Sequence, residues 1–103
     1  MNTYIMKSPI YYAIPIQGYP YNSAWYLSNE DEIDEFAKEF NMDWHWNMRT
    51  GVLSFKDKSE GIKLKRPEHV QIGDVVVAYD DCGTWRVYNY TSEEFEKKFI
   101  KVG

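Results

Sequence analysis

Asp80-Asp81-Cys82, set between a run of valines and the stretch Thr84-Trp85-Arg86-Val87-Tyr88, is the densest polar cluster of the chain. Two adjacent carboxylates could hold a cation, and the thiol beside them could act as a nucleophile. A metal ion needs several converging ligands, however, and a nucleophilic Cys needs a base at hand. No residue stands out for either role, so the preferred reading is a hairpin tip, where Asp and Gly are favoured. A second grouping pairs Asp43 with His45, two residues apart and so on one side of an extended strand. His titrates near neutral pH, and with Asp80 these two frame a hydrolase or metal-enzyme reading. Two side chains are too few for a site, and His69 lies in a loop with no pattern tying it to them. A surface His is preferred.

Two aromatic groupings remain. Trp44, Trp46 and Trp85, with Lys63, Lys65 and Arg66, have the composition of a stacking platform for small ligands, nucleotides or single-stranded nucleic acid. Strand alternation favours the competing reading, in which these rings bury large apolar areas in the core. Tyr19, Tyr21, Trp25 and Tyr26 crowd the segment Gly18–Tyr26, just ahead of the acidic residues Glu30, Asp34 and Glu35. Tyr and Trp are favoured at interface hot spots, and carboxylates give electrostatic complementarity to a basic partner. An acidic helix face is more commonly just solvated. No Gly-rich phosphate loop, Ser-His-Asp grouping or paired-carboxylate motif stands out, so neither an enzyme nor a bound cofactor or metal is expected.

The elements that must position these residues are readable from composition and period. A chain of 103 residues, 44% apolar and 17% aromatic, is rich enough in core-formers to fold as one domain over 1–103. Its net charge of −4 offers no global field for phosphates, which disfavours nucleic acid. A single Cys excludes an internal disulfide framework and fits a reducing compartment. The apolar runs are too short to span a membrane, and the stretch Met1–Ile16 has no small-residue cleavage site behind a hydrophobic core, which argues against a signal peptide. A cytoplasmic protein is the expectation.

Ile10–Ile14, bordered by Pro9 and Pro15, reads as a short or edge strand, one that could pair two copies of the chain. Gly18–Tyr26 reads as an irregular loop. Ser28 or Asn29 can cap a helix, with Glu32 in capping-box spacing from Asn29, and Ile33, Phe36, Ala37 and Phe40 recur at helical spacing. From Asp43 the period becomes two: Trp44, Trp46 and Met48 share a side, Thr50-Gly51 turns, Val52–Lys56 returns, and Asp57–Gly61 turns again into Ile62–Lys65. In that third strand Ile62 and Leu64 face in and Lys63 and Lys65 face out. Val75–Tyr79 and Thr84–Tyr88 form the hairpin around Asp80-Asp81-Cys82, and Thr91 with Glu94 opens a second short helix bearing Phe95 and Phe99. The expected fold is α+β: an antiparallel sheet of about five to six strands, meander plus hairpin, with one amphipathic helix and a short C-terminal helix.

Asp31-Glu32-Ile33-Asp34-Glu35-Phe36, Gly51-Val52-Leu53-Ser54-Phe55, Gly73-Asp74-Val75-Val76-Val77 and Glu94-Phe95 through Phe99 occur in an order that resembles small proteins encoded by tailed phages and prophages. Ile72 stands where those have Pro, and Asn22–Tyr26 lengthens the first loop. The resemblance implies a fold and a genomic setting but transfers no catalytic residue. The expectation is a non-enzymatic accessory factor in a bacterial host cell. It would bind and inhibit a host or defence protein, such as a CRISPR effector, through Tyr19, Tyr21, Trp25, Tyr26, Glu30, Asp34 and Glu35.

Overall fold

The computed structural model describes residues 11–99, so Pro9, Ile10 and most of the N-terminal stretch read above lie outside the described residues. The chain is α+β, with eight strands and two helices in the order β1 Tyr11–Pro15, β2 Gly18–Tyr21, β3 Ala24–Leu27, α1 Glu30–Glu39, β4 Met42–Asn47, β5 Val52–Asp57, β6 Val70–Gln71, β7 Asp74–Asp81, β8 Thr84–Thr91 and α2 Ser92–Lys98. They form three antiparallel sheets, β1-β7-β8, β2-β3 and β4-β5-β6.

Eight strands exceed the five to six expected, and most of the excess comes from Gly18–Tyr26. This segment is a hairpin, in register Tyr19↔Tyr26 and Pro20↔Trp25. Asn22 and Ser23, at φ 48° and 62°, supply the left-handed pair that a two-residue hairpin turn requires. The meander also differs from expectation. Ile62–Lys65 is not a strand: Ile62 is 91% exposed, and the third partner of β5 is the later β6, through Val52↔Gln71 and Leu53↔Val70. The physical reason is Asp57. Its buried carboxylate accepts the backbone N–H of Ser59 at 3.1 Å and of Leu64 at 2.8 Å, folding residues 58–64 into a loop instead of a ladder.

Helix α1 lies on the core through Ile33, Phe36 and Ala37, continued by Phe40. Asn41, at φ 55°, ends it in the left-handed conformation common after a helix C-terminus. Below it sit Leu53 and Phe55 of β5, Val70, Val76, Ala78 and Val87, together with Ile16, Leu27 and Met42. The other side of β1-β7-β8 carries a smaller aromatic layer, in which Tyr11 and Tyr90 meet Phe99 edge-on at 5.0 and 5.4 Å, and Phe99 stacks on Phe95. Helix α2 has the expected capping box: Thr91 Oγ1 accepts from Glu94 N–H, and the Glu94 carboxylate accepts from Thr91 N–H.

Candidate functional site: a tyrosine hairpin and an acidic helix

The Asp80-Asp81-Cys82 cluster is a turn. Strands β7 and β8 pair as far as Asp81↔Thr84, leaving Cys82 and Gly83 as a two-residue loop with φ of 52° and 89°. The Asp80 carboxylate closes it by accepting Gly83 N–H at 2.8 Å, and Asp81 faces Arg86 across the hairpin at 3.5 Å. On β4, Asp43 pairs with Lys58 at 3.2 Å and His45 is exposed. Among the described residues no group of three or more His, Cys, Asp or Glu could hold a metal ion.

The Trp and Lys residues of the nucleotide-platform reading are not gathered onto one surface. Trp44 donates Nε1–H to Asp34 at 3.2 Å beneath α1, and Trp46 donates Nε1–H to the Trp25 carbonyl at 2.9 Å. Trp85 packs against Phe40 at 4.7 Å and Tyr12 at 5.8 Å. All three are half-buried and pack on the core cluster. Lys63 and Lys65 are exposed, whereas Arg66 is 6% exposed, donates to the Trp85 carbonyl at 2.8 Å and lies 3.9 Å from the Asp57 carboxylate. Burial pushes the Asp57 carboxyl up, but the N–H bonds from Leu64 and Ser59 and the Arg66 charge outweigh it and hold it below 3.8.

The interface set is divided in an informative way. Alternation along β2 and β3 puts Tyr19, Tyr21 and Tyr26 on one face, with Tyr19 and Tyr26 stacked at 5.7 Å and Tyr21 6.3 Å from Tyr26. Tyr19 is 52% and Tyr21 63% exposed, the two largest exposures among the tyrosines and tryptophans described. Trp25 falls on the opposite face and clamps the hairpin to the β4-β5 turn. Its N–H donates to the Met48 carbonyl at 2.8 Å, and its ring covers Gly51, whose φ is 70° and where an added Cβ would lie 3.0 Å from Trp25 Cγ.

The acids separate on the helix, where each residue turns about 100°. Asp34 faces β4: it pairs with Lys38 at 2.9 Å and accepts from Trp44, and the Lys38 and Trp44 bonds hold its carboxyl below 3.8. Glu35 faces the other way and joins Glu32 and Glu39 along β1. Glu30 stands at the helix start, beside a hollow of about 430 Å³ between the end of β3 and α1. Asn29 is not the side-chain cap expected for α1. It is buried, donates Nδ2–H to the Pro15 carbonyl and accepts Gln17 N–H at 3.0 Å, tying the helix entry to the end of β1.

Sequence reasoning missed the Tyr hairpin as an ordered face. The signal was present: Asn22-Ser23, tolerant of left-handed backbone, lies midway between alternating aromatics. No helix among the described residues is long and apolar enough to cross a membrane. No family model, curated protein or solved structure matches this chain.

Proposed function

We propose that this chain is a non-enzymatic binding protein that docks on a protein partner through the Tyr19, Tyr21 and Tyr26 face of the β2-β3 hairpin. The observation that carries the reading is three tyrosines on one sheet face, ring against ring, two of them more than half exposed. A two-stranded ribbon is marginal by itself, and here it is braced from behind by Trp25 against Gly51 and Trp46. Rigid tyrosines lose little conformational freedom on binding, which is why they serve as anchors. Glu30 and the net charge of −4 select a partner with a basic surface. In the setting that the phage-protein resemblance implies, the partner is a host or defence protein in the bacterial cell and docking blocks its activity.

The test is capture of partners from nuclease-treated bacterial lysate by the tagged chain, with Tyr19→Ser/Tyr21→Ser as a parallel bait. One stoichiometric basic protein retained by the wild type and lost by the variant is the expected result. Equal recovery on both baits removes the hairpin face. The nucleotide-platform alternative, through Trp44, Trp46, Trp85, Lys63, Lys65 and Arg66, draws no comparable support, because three of those residues serve the core and Arg66 is buried.

A further inference from the structure

Strand β1 has one neighbour, β7, so its other edge is unpaired among the described residues. Which peptide groups face that edge follows from two sets of bonds. Ile16 directs both its N–H and its carbonyl at the β7 side, bonding Asp74 and Gly73 at 2.9 Å each. Pro15 and Gln17 direct theirs the opposite way, to Asn29. Alternation along a strand therefore points the peptide groups of Ala13 and Tyr11 outward. Asn29 occupies the far end of this edge as a strand would, and Pro15 offers no N–H there, so the open stretch is confined to Tyr11–Ala13.

This open stretch adjoins a groove of about 410 Å³ between β1 and α1, with Tyr12 and Phe40 in its floor and Glu32, Glu35 and Glu39 along its helix wall. The three carboxylates recur at i, i+3 and i+7, one stripe of the helix. Ala13 lines the groove although its side chain points to the opposite face of the sheet from Tyr12, so it presents backbone there.

We infer that the β1 edge takes up an extended basic segment of a partner protein by strand addition. Backbone bonds would form to Ala13 and Tyr11, and alternate Lys or Arg side chains would reach the glutamate stripe. An incoming strand has its own period of two, so basic residues at every second position meet the carboxylates while the intervening residues fall on the Tyr11 side. Charge selects this occupant over a second copy of the chain, because pairing two β1 edges would bring two such stripes together. The inference rests on the reading of the chain as a binding protein but uses a different surface from the Tyr hairpin.

The test is fluorescence anisotropy with a labelled peptide alternating Lys or Arg with Val. Two control peptides accompany it, one with Glu in place of the basic residues and one with the same composition in blocks. Saturable binding of the alternating peptide alone is expected, weakened about tenfold or more by Glu35→Lys and by Ala13→Pro. Pro15 already shows that an outward position of this strand accepts Pro, and circular dichroism checks that Ala13→Pro folds. In the wild-type chain, hydrogen exchange of the Ala13 amide should slow when peptide is added, a readout that needs no variant. Equal binding of the blocked peptide, or unchanged Ala13 exchange at saturation, overturns strand addition. Dimerisation of the free chain, seen by light scattering and abolished by Ala13→Pro, would give the edge to a second copy and also overturn it. Because the Tyr19→Ser/Tyr21→Ser variant keeps this edge, its peptide binding separates failure of this inference from failure of the hairpin reading.

Discussion

Arg66 belongs by sequence to a basic run with Lys63 and Lys65, yet it is buried against Asp57 and the Trp85 carbonyl. Removing one member of a buried pair leaves the other charge uncompensated, so Arg66→Ala should cost about 3 kcal/mol in urea unfolding. Lys63→Ala and Lys65→Ala, at exposed positions, should each cost less than about 0.5 kcal/mol. The Asp57 carboxyl is held below 3.8 in the folded chain, so its contribution is present above about pH 4 and is lost as pH falls through the folded value. Urea midpoints should therefore drop on acidification below about pH 4, and Asp57→Asn should flatten that limb while lowering stability at neutral pH. At the hairpin tip, Cys82 sits at φ 52° ahead of Gly83, a position that favours Asn. Cys82→Asn should leave stability unchanged or raise it by a few tenths of a kcal/mol, whereas a nucleophile or ligand at this position would show as lost function.

At the scale of elements, what was legible followed local rules. The α1 face advances in steps of one to three residues from Ile33 to Phe40, the β7-β8 hairpin is set by its two-residue Cys82-Gly83 turn, and the capping box joins Thr91 to Glu94 three residues on. Two of the missed features are side-chain to backbone bonds that no periodicity signals. Asp57 reshapes the following loop by folding it onto its own carboxylate, and nothing in the period-two pattern of Ile62–Lys65 signals it. Asn29 fits an N-cap in sequence, but its carboxamide is taken by Pro15 and Gln17, more than ten residues away. The two roles predict different substitution patterns. A cap tolerates Asn29→Ser, whereas a bridge does not, because Ser is too short to reach both groups. Asn29→Ser and Asn29→Ala should each lower stability by about 1 kcal/mol, from loss of the part-buried bonds to Pro15 and Gln17. The β2-β3 hairpin was obscured by Gly18 and Pro20, which read as loop residues, although Pro20 sits on an edge strand where its missing N–H does no harm.

Over the whole molecule, the described polar clusters resolve into structural work. Asp80 closes a turn, Asp34 anchors Trp44, Asp57 holds a loop, and the Trp rings pack. Among the described residues, the Tyr19-Tyr21-Tyr26 face and the groove of Glu32, Glu35 and Glu39 beside β1 carry no such role. Both suit a partner protein. The acids and tyrosines of the candidate site were legible as residue types, but their division was not, because it depends on which side of α1 meets β1 and which meets β4. Attraction by the acids should appear mainly in the association rate and should fade with salt. Glu30→Lys should accordingly slow association at low ionic strength and matter little at high salt. Docking through the tyrosine face is decided by calorimetric titration of the captured partner against wild type and Tyr19→Ser/Tyr21→Ser. At least a tenfold loss of affinity with the fold intact is expected, and equal affinities would rule the tyrosine face out.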